Sequence, residues 1–197
     1  MTMTLAASPL EGRFVRLQPV SADMREELRA ALDVDPENWS LQYVNGSGGG
    51  FPDYWGVMTG QVERGERIAF AVRRRADGRV VGTSSFLNIS AANSTVEIGS
   101  TFFHPDARGT AVNPEAKLLM MEHAFKAGAL RVQLTVDSRN ARSQAACAKL
   151  GAVREGVLRR HLVTWTGHKR DSVVFSVIET EWPQVREGLE RRLERFD

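Results

Sequence analysis

Arg108-Gly-Thr-Ala-Val-Asn113 lies at the centre of residues 96–151, the stretch that decides the fold. The run before it, TVEIGSTFF (Thr95–Phe103), is rich in β-branched and aromatic residues and ends at His104-Pro105, so it predicts a strand. The next three residues predict the start of a helix. Asn113 is a favoured N-cap, Pro114 fits the first helical position, and Glu115 places a carboxylate at the positive helix end. The expected order across the stretch is strand, tight turn, helix, strand, helix.

The helix after this turn is expected over residues 114–126, with a wide apolar face suited to packing against a sheet. A loop that runs straight into a helix N-terminus offers unpaired backbone N–H groups and a positive dipole end, and such a place binds phosphate or another anion. Lys117 in the first turn opposes the dipole unless an anion is nearby, which favours a phosphate partner. An ordinary capped turn with a solvated Lys117 explains the same residues, and both interpretations stay open.

The composition is that of a globular protein, with 42% hydrophobic and 25% charged residues, and the length predicts one domain over residues 1–197. The net charge of +2 gives no reason to expect nucleic-acid or membrane binding. Cys147 is the only cysteine, and the four histidines show no zinc-type pairing, so we expect neither a disulfide nor a metal site. Without a signal pattern or a run of about 18 apolar residues, the expected location is the cytoplasm.

The remaining sequence alternates strands with helices. A strand is expected within residues 13–20 and helices near 23–32 and 52–64, with the glycine run 45–50 between them as a mobile loop. Three antiparallel strands lead into the central unit, and two more strands and a last amphipathic helix follow it. The predicted fold class is therefore α+β (mixed α/β), with antiparallel strands first and one βαβ unit in the middle.

Several short motifs in this order and spacing resemble one family. They are Glu97-Ile-Gly99, His104-Pro-Asp-Ala-Arg-Gly109, Asn140-Ala-Arg-Ser143, Lys149-Leu-Gly151, Glu155-Gly-Val-Leu-Arg159 and Arg170-Asp171. Together they resemble the GNAT superfamily of acetyl-CoA-dependent N-acetyltransferases, most closely its RimJ/RimL-like branch, over nearly the whole chain. The resemblance implies a GNAT fold: a central, mostly antiparallel sheet that is splayed at one parallel strand pair and has helices on both faces.

The resemblance further implies that acetyl-CoA is the co-substrate and that no metal takes part. The pantetheine arm would lie between the strand that ends at Phe103 and the strand that begins at Arg131, with the pyrophosphate on the loop between them. The implied cofactor-binding residues are Thr101, Phe102, Phe103, Arg108, Gly109, Thr110, Ala111, Val112, Asn113, Asn140 and Ser143. Asn140 could instead merely cap its helix, and Ser143 could merely bond back to its own helix. Ala111 departs from the family pattern, which usually has a glycine that lets the backbone approach the pyrophosphate closely.

Acetyl transfer to an amine requires a group that removes the ammonium proton. Glu97 is the first candidate for this general base, because it is a lone carboxylate in an apolar strand beside the expected thioester. A solvated or ion-paired strand residue explains Glu97 equally well. Asp137 and Asp171 are alternatives, although Asp171 looks more structural, bracing its turn with Arg170 or Arg160.

Many GNAT enzymes have a tyrosine seven residues after the position of Asn140, where it protonates the leaving thiolate. Cys147 takes that place here, either as the acid or as a filler of the core. The amine acceptor would enter between the N-terminal helices and the strand pair near Trp165. The aromatic residues expected to wall that pocket, unless they only pack in the core, are Trp39, Tyr43, Trp55 and Trp165.

The expected function is therefore transfer of an acetyl group from acetyl-CoA to a primary amine, on a small molecule or a protein N-terminus, by direct attack in a ternary complex. The alternative is a GNAT-fold module that binds CoA or another ligand without turnover, which Ala111 and the missing tyrosine motivate. A homodimer could form through the strand pair within residues 153–178 and the last helix. Nothing in the sequence chooses the acceptor.

Overall fold

The computed structural model describes residues 3–196, so residues 1, 2 and 197 of the expected single domain lie outside the described residues. The strands in the described range are β1 (Leu10–Glu11), β2 (Val15–Pro19), β3 (Arg67–Arg74), β4 (Val80–Ser90), β5 (Thr95–Phe103), β6 (Arg131–Asp137), β7 (Val153–Val163) and β8 (Lys169–Ile178). The helices are α1 (Arg25–Leu32), α2 (Pro36–Trp39), α3 (Phe51–Glu63), α4 (Val112–Lys126), α5 (Ala141–Leu150) and α6 (Trp182–Leu193). No helix within these residues is long and apolar enough to cross a membrane.

The strands form one sheet in the order β1-β2-β3-β4-β5-β6-β8-β7, and alternate residues of each central strand face opposite sides of it. In β3, Phe70 and Val72 join an apolar core with α4, α5 and α6. Ala69 and Ala71, from the same strand, join a second core with α1, α2 and α3. The predicted fold class is confirmed: a mostly antiparallel sheet carries helices on both faces.

Strands β5 and β6 are the one parallel pair of the described sheet, and they separate soon after they meet. The two strands pair only over Thr95–Glu97 and Arg131–Gln133. Beyond these residues β5 continues to Phe103 and β6 to Asp137 with no pairing between them. The predicted splay at a parallel strand pair is therefore present, and it opens toward the loop that precedes α4.

Strand β5 also bulges where it leaves β6. Ser100 and Thr101 lie opposite a single residue of β4, Ser84, because the register shifts at this point. Ser100 has a φ of 46°, in the left-handed region that residues with a Cβ seldom adopt. Such a bulge bends a strand and re-aims its side chains, and bulges are over-represented beside active sites.

Helix α4 begins at Val112, two residues before its predicted start. Ala111, not Asn113, occupies the N-cap position, so the predicted N-cap is wrong. The physical reason is that the hydroxyl of Thr110 accepts the N–H of Val112 at 3.3 Å and supports an earlier first turn. Asn113 consequently lies inside the first turn of the helix.

Glu115 lies in the first turn of α4, but its buried carboxylate is directed at β2 and not at the helix end. It accepts three hydrogen bonds, from the backbone N–H groups of Arg13, Phe14 and Val15, at 2.6 to 2.7 Å. Gly12 makes room for it, because a Cβ at Gly12 would lie 2.5 Å from the Glu115 carboxyl carbon. This carboxylate therefore joins the start of β2 to the first turn of α4.

We expect Glu115→Gln to lower the free energy of unfolding by about 2 kcal/mol, because hydrogen bonds to a charged group contribute roughly 1.5–3 kcal/mol. Glu115→Ala should cost more, since it leaves three backbone donors unsatisfied. Urea unfolding followed by circular dichroism measures both. The control is Glu122→Gln on the same helix, whose ion pairs with Lys126 and Arg186 lie at the surface and should contribute less than about 1 kcal/mol. Equal losses at both positions would contradict this account.

Candidate functional site

The separation of β5 from β6 opens a cavity of about 480 Å³, within the range typical of small-molecule sites. Its walls are the second half of β5, the loop before α4, the end of β6, the first turns of α4, the length of α5 and the segment 38–42. The predicted cofactor-binding residues on these walls are Thr101, Phe102, Phe103, Arg108, Gly109, Thr110, Asn113, Asn140 and Ser143. Ala111 and Val112 are buried beside the cavity and do not line it.

The loop before α4 has the geometry of an anion site. Within the described residues, the backbone N–H groups of Gly109, Thr110 and Ala111 find no acceptor. Gly109 has a φ of 75°, which favours glycine, and the space where a Cβ would lie is open. Ala111 has a φ of −64° and a buried methyl group, so its position does not require a glycine. The two cavity-lining residues of the loop, Gly109 and Thr110, thus have unpaired donors, and the Ala111 methyl group lies outside the cavity wall.

Arg108 holds a positive charge at the mouth of the cavity. Its Nε donates to the carbonyl of Phe103 at 3.0 Å, and its Nη1 pairs with Asp35. Its Nη2 is buried and has no hydrogen-bond partner among residues 3–196. Partial burial alone would raise the pKa of Asp35, but the hydrogen bond from Arg108 lowers it below its ordinary value. The guanidinium therefore carries one buried donor without a partner in the described part of the chain.

Lys117 lies deeper in the cavity, and the interpretation of a solvated lysine is wrong, because the residue is only 6% exposed. Its ammonium donates to the hydroxyl of Thr101 at 2.7 Å and to that of Ser84 at 3.4 Å. Burial lowers its pKa to about 8. The helical spacing of the sequence indicates this burial, because Lys117 precedes Met120 and Met121 by three and four residues, and both methionines are fully buried.

Cys147 also lines the cavity, on α5. Burial raises the pKa of its thiol to about 11, although the positive charge of Lys117 acts in the opposite direction. A free cysteine has a pKa near 8.5, so this thiol is a weaker acid than usual and poorly suited to protonating a thiolate. At the start of the same helix, Asn140 accepts the N–H of Ser143 at 3.0 Å, so it caps the helix while lining the cavity.

Glu97 does not line this cavity, but it lies beside a residue that does. A Cβ on Gly99 would lie 3.3 Å from its Oε1, and Gly99 is part of the cavity wall. The half-buried carboxylate accepts hydrogen bonds from Asn88 at 2.9 Å and from Gln133 at 3.4 Å. Its charge also acts on Arg170, another residue of the wall. Glu97 therefore stands at the closed end of the splay, held by neutral amides.

The other two carboxylates considered are already engaged. Asp137 pairs with Arg139 at 2.8 Å and with Arg170 at 3.9 Å, and although burial raises its pKa, the bonds from Arg139 lower it overall. Asp171 accepts the backbone N–H of Arg160 at 2.7 Å and so braces the hairpin of β7 and β8. No three His, Cys, Asp or Glu side chains of the described chain group closely enough to hold a metal ion.

A second, much smaller cavity of about 10 Å³, about the room that one water molecule needs, lies on the side of β5 that carries the N-terminal helices. It is lined by Trp39, Gln42, Tyr43, Val44, Tyr54, Ser100, Thr101 and Phe102. Gln42 and the bulge segment 100–102 line both cavities, so the two spaces meet at the bulge. Trp39 stacks on Phe102 with ring centroids 4.3 Å apart and forms a wall between them.

The predicted aromatic pocket is therefore only partly brought together. Trp39 and Tyr43 line the smaller cavity, whereas Trp55 and Trp165 line neither space. Trp55 instead stacks on Phe51 at 6.2 Å within the α3 layer. Trp165 is 47% exposed, and its indole N–H donates to the carbonyl of Trp39 at 2.8 Å. Trp165 thus fixes the aromatic segment in place without forming part of the cavity wall.

Comparison with known proteins gives the same fold. A GCN5-related N-acetyltransferase from Brucella melitensis is 29% identical, with a TM-score of 0.89 over 98% of this chain and 89% of that one. A T. thermophilus protein assigned as an acetyltransferase is 35% identical, with a TM-score of 0.84 over 94% of this chain and 96% of that one. Mycobacterium smegmatis RimJ, solved in complex with CoA-disulfide, is 23% identical with a TM-score of 0.77 over 93% and 92% of the two chains, a likeness in fold.

Among curated proteins, none matches the sequence. The family described as Acetyltransferase (GNAT) domain matches residues 15–153, which include the splayed strand pair, the loop before α4 and α5. The match covers most of the chain and holds the whole wall of the larger cavity apart from Arg170 and Arg192. The chain therefore belongs to the GNAT family of acyl-CoA-dependent N-acetyltransferases.

Proposed function

We propose that this protein transfers the acetyl group of acetyl-CoA to a primary amine by direct attack in a ternary complex. The observation that carries the proposal is the meeting of two cavities at the β5 bulge, since Ser100, Thr101 and Phe102 line both. The larger cavity would hold the acyl donor, and the smaller one, which has room for about one water molecule, marks the side from which the amine would approach the bulge. Direct transfer needs the two reactants held together in this way, because positioning supplies much of the rate.

Two parts of the larger cavity suit two parts of acetyl-CoA, the diphosphate and the pantetheine arm. The mouth of this cavity is lined by Gly109 and Thr110, whose N–H groups are unpaired, and by the positive charge of Arg108, and these fit the diphosphate. The open edge of β5 at 101–103 offers backbone partners for the amide groups of the pantetheine arm. An arm held at the mouth and running inward along β5 ends near the bulge, where the thioester would meet the amine.

Glu97 is the proposed general base. Its carboxylate lies next to Gly99, on the opposite side of β5 from α4, because its neighbours Val96 and Ile98 point into the core with α4. It makes no ion pair with a side chain in the described range, whereas Asp137 is paired with two arginines. Glu97 is thus free to accept the proton that the amine loses, directly or through water.

The acceptor is a primary amine on a small molecule or a peptide, and we place the enzyme in the RimJ/RimL-like branch. The fold shared with RimJ, which was solved with CoA-disulfide, supports this placement.

We place the activity in the cytoplasm, where a free thiol such as Cys147 stays reduced. A homodimer, where it forms, would use the exposed edge strand β7, which presents Val157 and Leu158 to solvent. The alternative is a GNAT-fold module that binds CoA or another ligand without turnover. One of the two reasons for it was Ala111, and that reason no longer applies because Ala111 fits the loop.

The proposal predicts that acetyl-CoA binds in calorimetry and that amines release free thiol. Asn113→Asp should weaken acetyl-CoA binding about tenfold or more, because it adds a negative charge where the diphosphate would lie. The same change should not lower stability, since an acidic residue suits a helix N-terminus. Asn93→Asp, in the turn between β4 and β5, is the matched control and should bind normally. Unchanged affinity in Asn113→Asp would argue against this donor site.

Glu97→Gln should lower kcat about 100-fold near neutral pH, because the glutamine cannot accept the amine proton. The affinity for acetyl-CoA should stay within a few-fold of wild type. Steady-state kinetics across pH should show that the acidic limb of the kcat profile is lost. Glu155→Gln, which removes a strand carboxylate paired with Arg131, is the control and should keep its activity. A Glu97→Gln variant with wild-type kcat and pH profile would exclude this base.

A further inference from the structure

We propose that Lys117 is the catalytic acid that protonates the departing CoA thiolate. The proposal rests on the acetyl-transfer function proposed above. When the carbon–sulfur bond breaks, its electron pair stays on sulfur. One N–H proton of the Lys117 ammonium moves to that sulfur, and the electron pair of the N–H bond stays on nitrogen. The neutral Lys117 amine then takes a proton from solvent, which balances the proton that the attacking amine loses.

The position of Lys117 is the first support. Its Nζ lies 2.7 Å from the Thr101 hydroxyl, and Thr101 is one of the residues at which the two cavities meet. Lys117 itself lines the larger cavity and is buried from solvent. The ammonium is thus held by β5 on the α4 side of the sheet, whereas Glu97 stands on the opposite side. The proton donor and the proton acceptor would flank the reacting atoms from two sides.

The charge around Lys117 is the second support. Its hydrogen-bond partners on β4 and β5 are neutral hydroxyls, and Cys147 on α5 is the titratable group in the described chain that acts on it. The other charged residues of the cavity wall are Arg108, Asp137, Arg142, Lys149, Arg170 and Arg192. The one carboxylate among them, Asp137, is paired with Arg139 and Arg170. No carboxylate among residues 3–196 pairs with the Lys117 ammonium, so a thiolate that forms in the cleft would be its first close negative partner.

The acid strengths agree with this assignment. Burial lowers the pKa of Lys117 to about 8, below the value of about 8.5 for a cysteine thiol, and simple aliphatic thiols are weaker acids still. Proton transfer from the ammonium to a thiolate is therefore close to balanced or favourable. Cys147, whose pKa is raised to about 11, would transfer a proton to the same thiolate only uphill. Cys147, at the position where many GNAT enzymes have a tyrosine, is therefore a poor acid. Lys117, from the neighbouring helix α4, protonates the thiolate instead.

The test measures the pKa of the thiol of CoA when unacetylated CoA is bound to the protein. The thiolate is followed by its ultraviolet absorbance in that complex. In the wild type the nearby ammonium should lower this pKa relative to CoA in solution. Lys117→Met should raise it by about one unit or more, because the stabilising charge is gone. Lys117→Gln should give the same shift, although it can still donate a hydrogen bond to Thr101. Lys126→Met, at the exposed end of α4, is the control and should match the wild type.

Turnover provides the second readout. Both Lys117 variants should lose about 100-fold in kcat with acetyl-CoA affinity within a few-fold of wild type, and the fall in wild-type kcat as pH rises through about 8 should disappear. Their urea midpoints should not drop, because both remove a buried unpaired charge. Equal thiol pKa values in wild type and Lys117→Met, or wild-type kcat in Lys117→Gln, would overturn the proposal. Those results would leave acetyl transfer standing, whereas a wild type that releases no CoA with any amine would refute the proposed function itself.

Discussion

Strands β5 and β6 separate in the middle of a sheet whose other neighbouring strands are hydrogen-bonded to each other. Pairing stops after Thr95–Glu97 and Arg131–Gln133, and the facing backbone groups beyond it have no strand to bond. Buried backbone donors and acceptors are costly unless they find partners, so a strand pair that separates inside a sheet calls for a ligand or water along its open edges. The cavity, the loop at its mouth and the placement of α4 and α5 all follow from this one interruption.

Strand β5, which borders this gap, also separates the cations of the site from the proposed general base. On the α4 side lie the cations Arg108 and Lys117, facing a space suited to a phosphate-bearing acyl donor. On the other side lies Glu97, held by the amides of Asn88 and Gln133 and next to Gly99 of the larger cavity's wall. The bulge at Ser100 brings the larger and the smaller cavity together at one point of β5. An amine would therefore lose its proton on one side of the strand while the thiolate gains one on the other.

Sequence reasoning located the elements with strong local signals. The bounds of β5 and α5 were predictable, because β-branched composition, the Asn140 cap and the left-handed Gly151 act within a few residues. The start of α4 was missed by two residues, since Thr110 supplies a weak cap that the sequence does not distinguish. The bond network of Glu115 reaches residues about a hundred positions away and leaves no local signal. Lys117 was open to detection, because helical spacing places it on the buried face with two methionines.

The central claim is that the open amides of the β5–α4 segment hold acetyl-CoA. Hydrogen exchange of backbone amides, resolved by NMR with and without acetyl-CoA, tests it most directly. The N–H groups of residues 109–111 and of Phe103, which faces the free edge of β5, should exchange rapidly in the free protein and slow at least about tenfold in the complex, because binding supplies their missing acceptors. Bound acetyl-CoA that leaves these amides unchanged, or that protects only α1 to α3, would contradict the account.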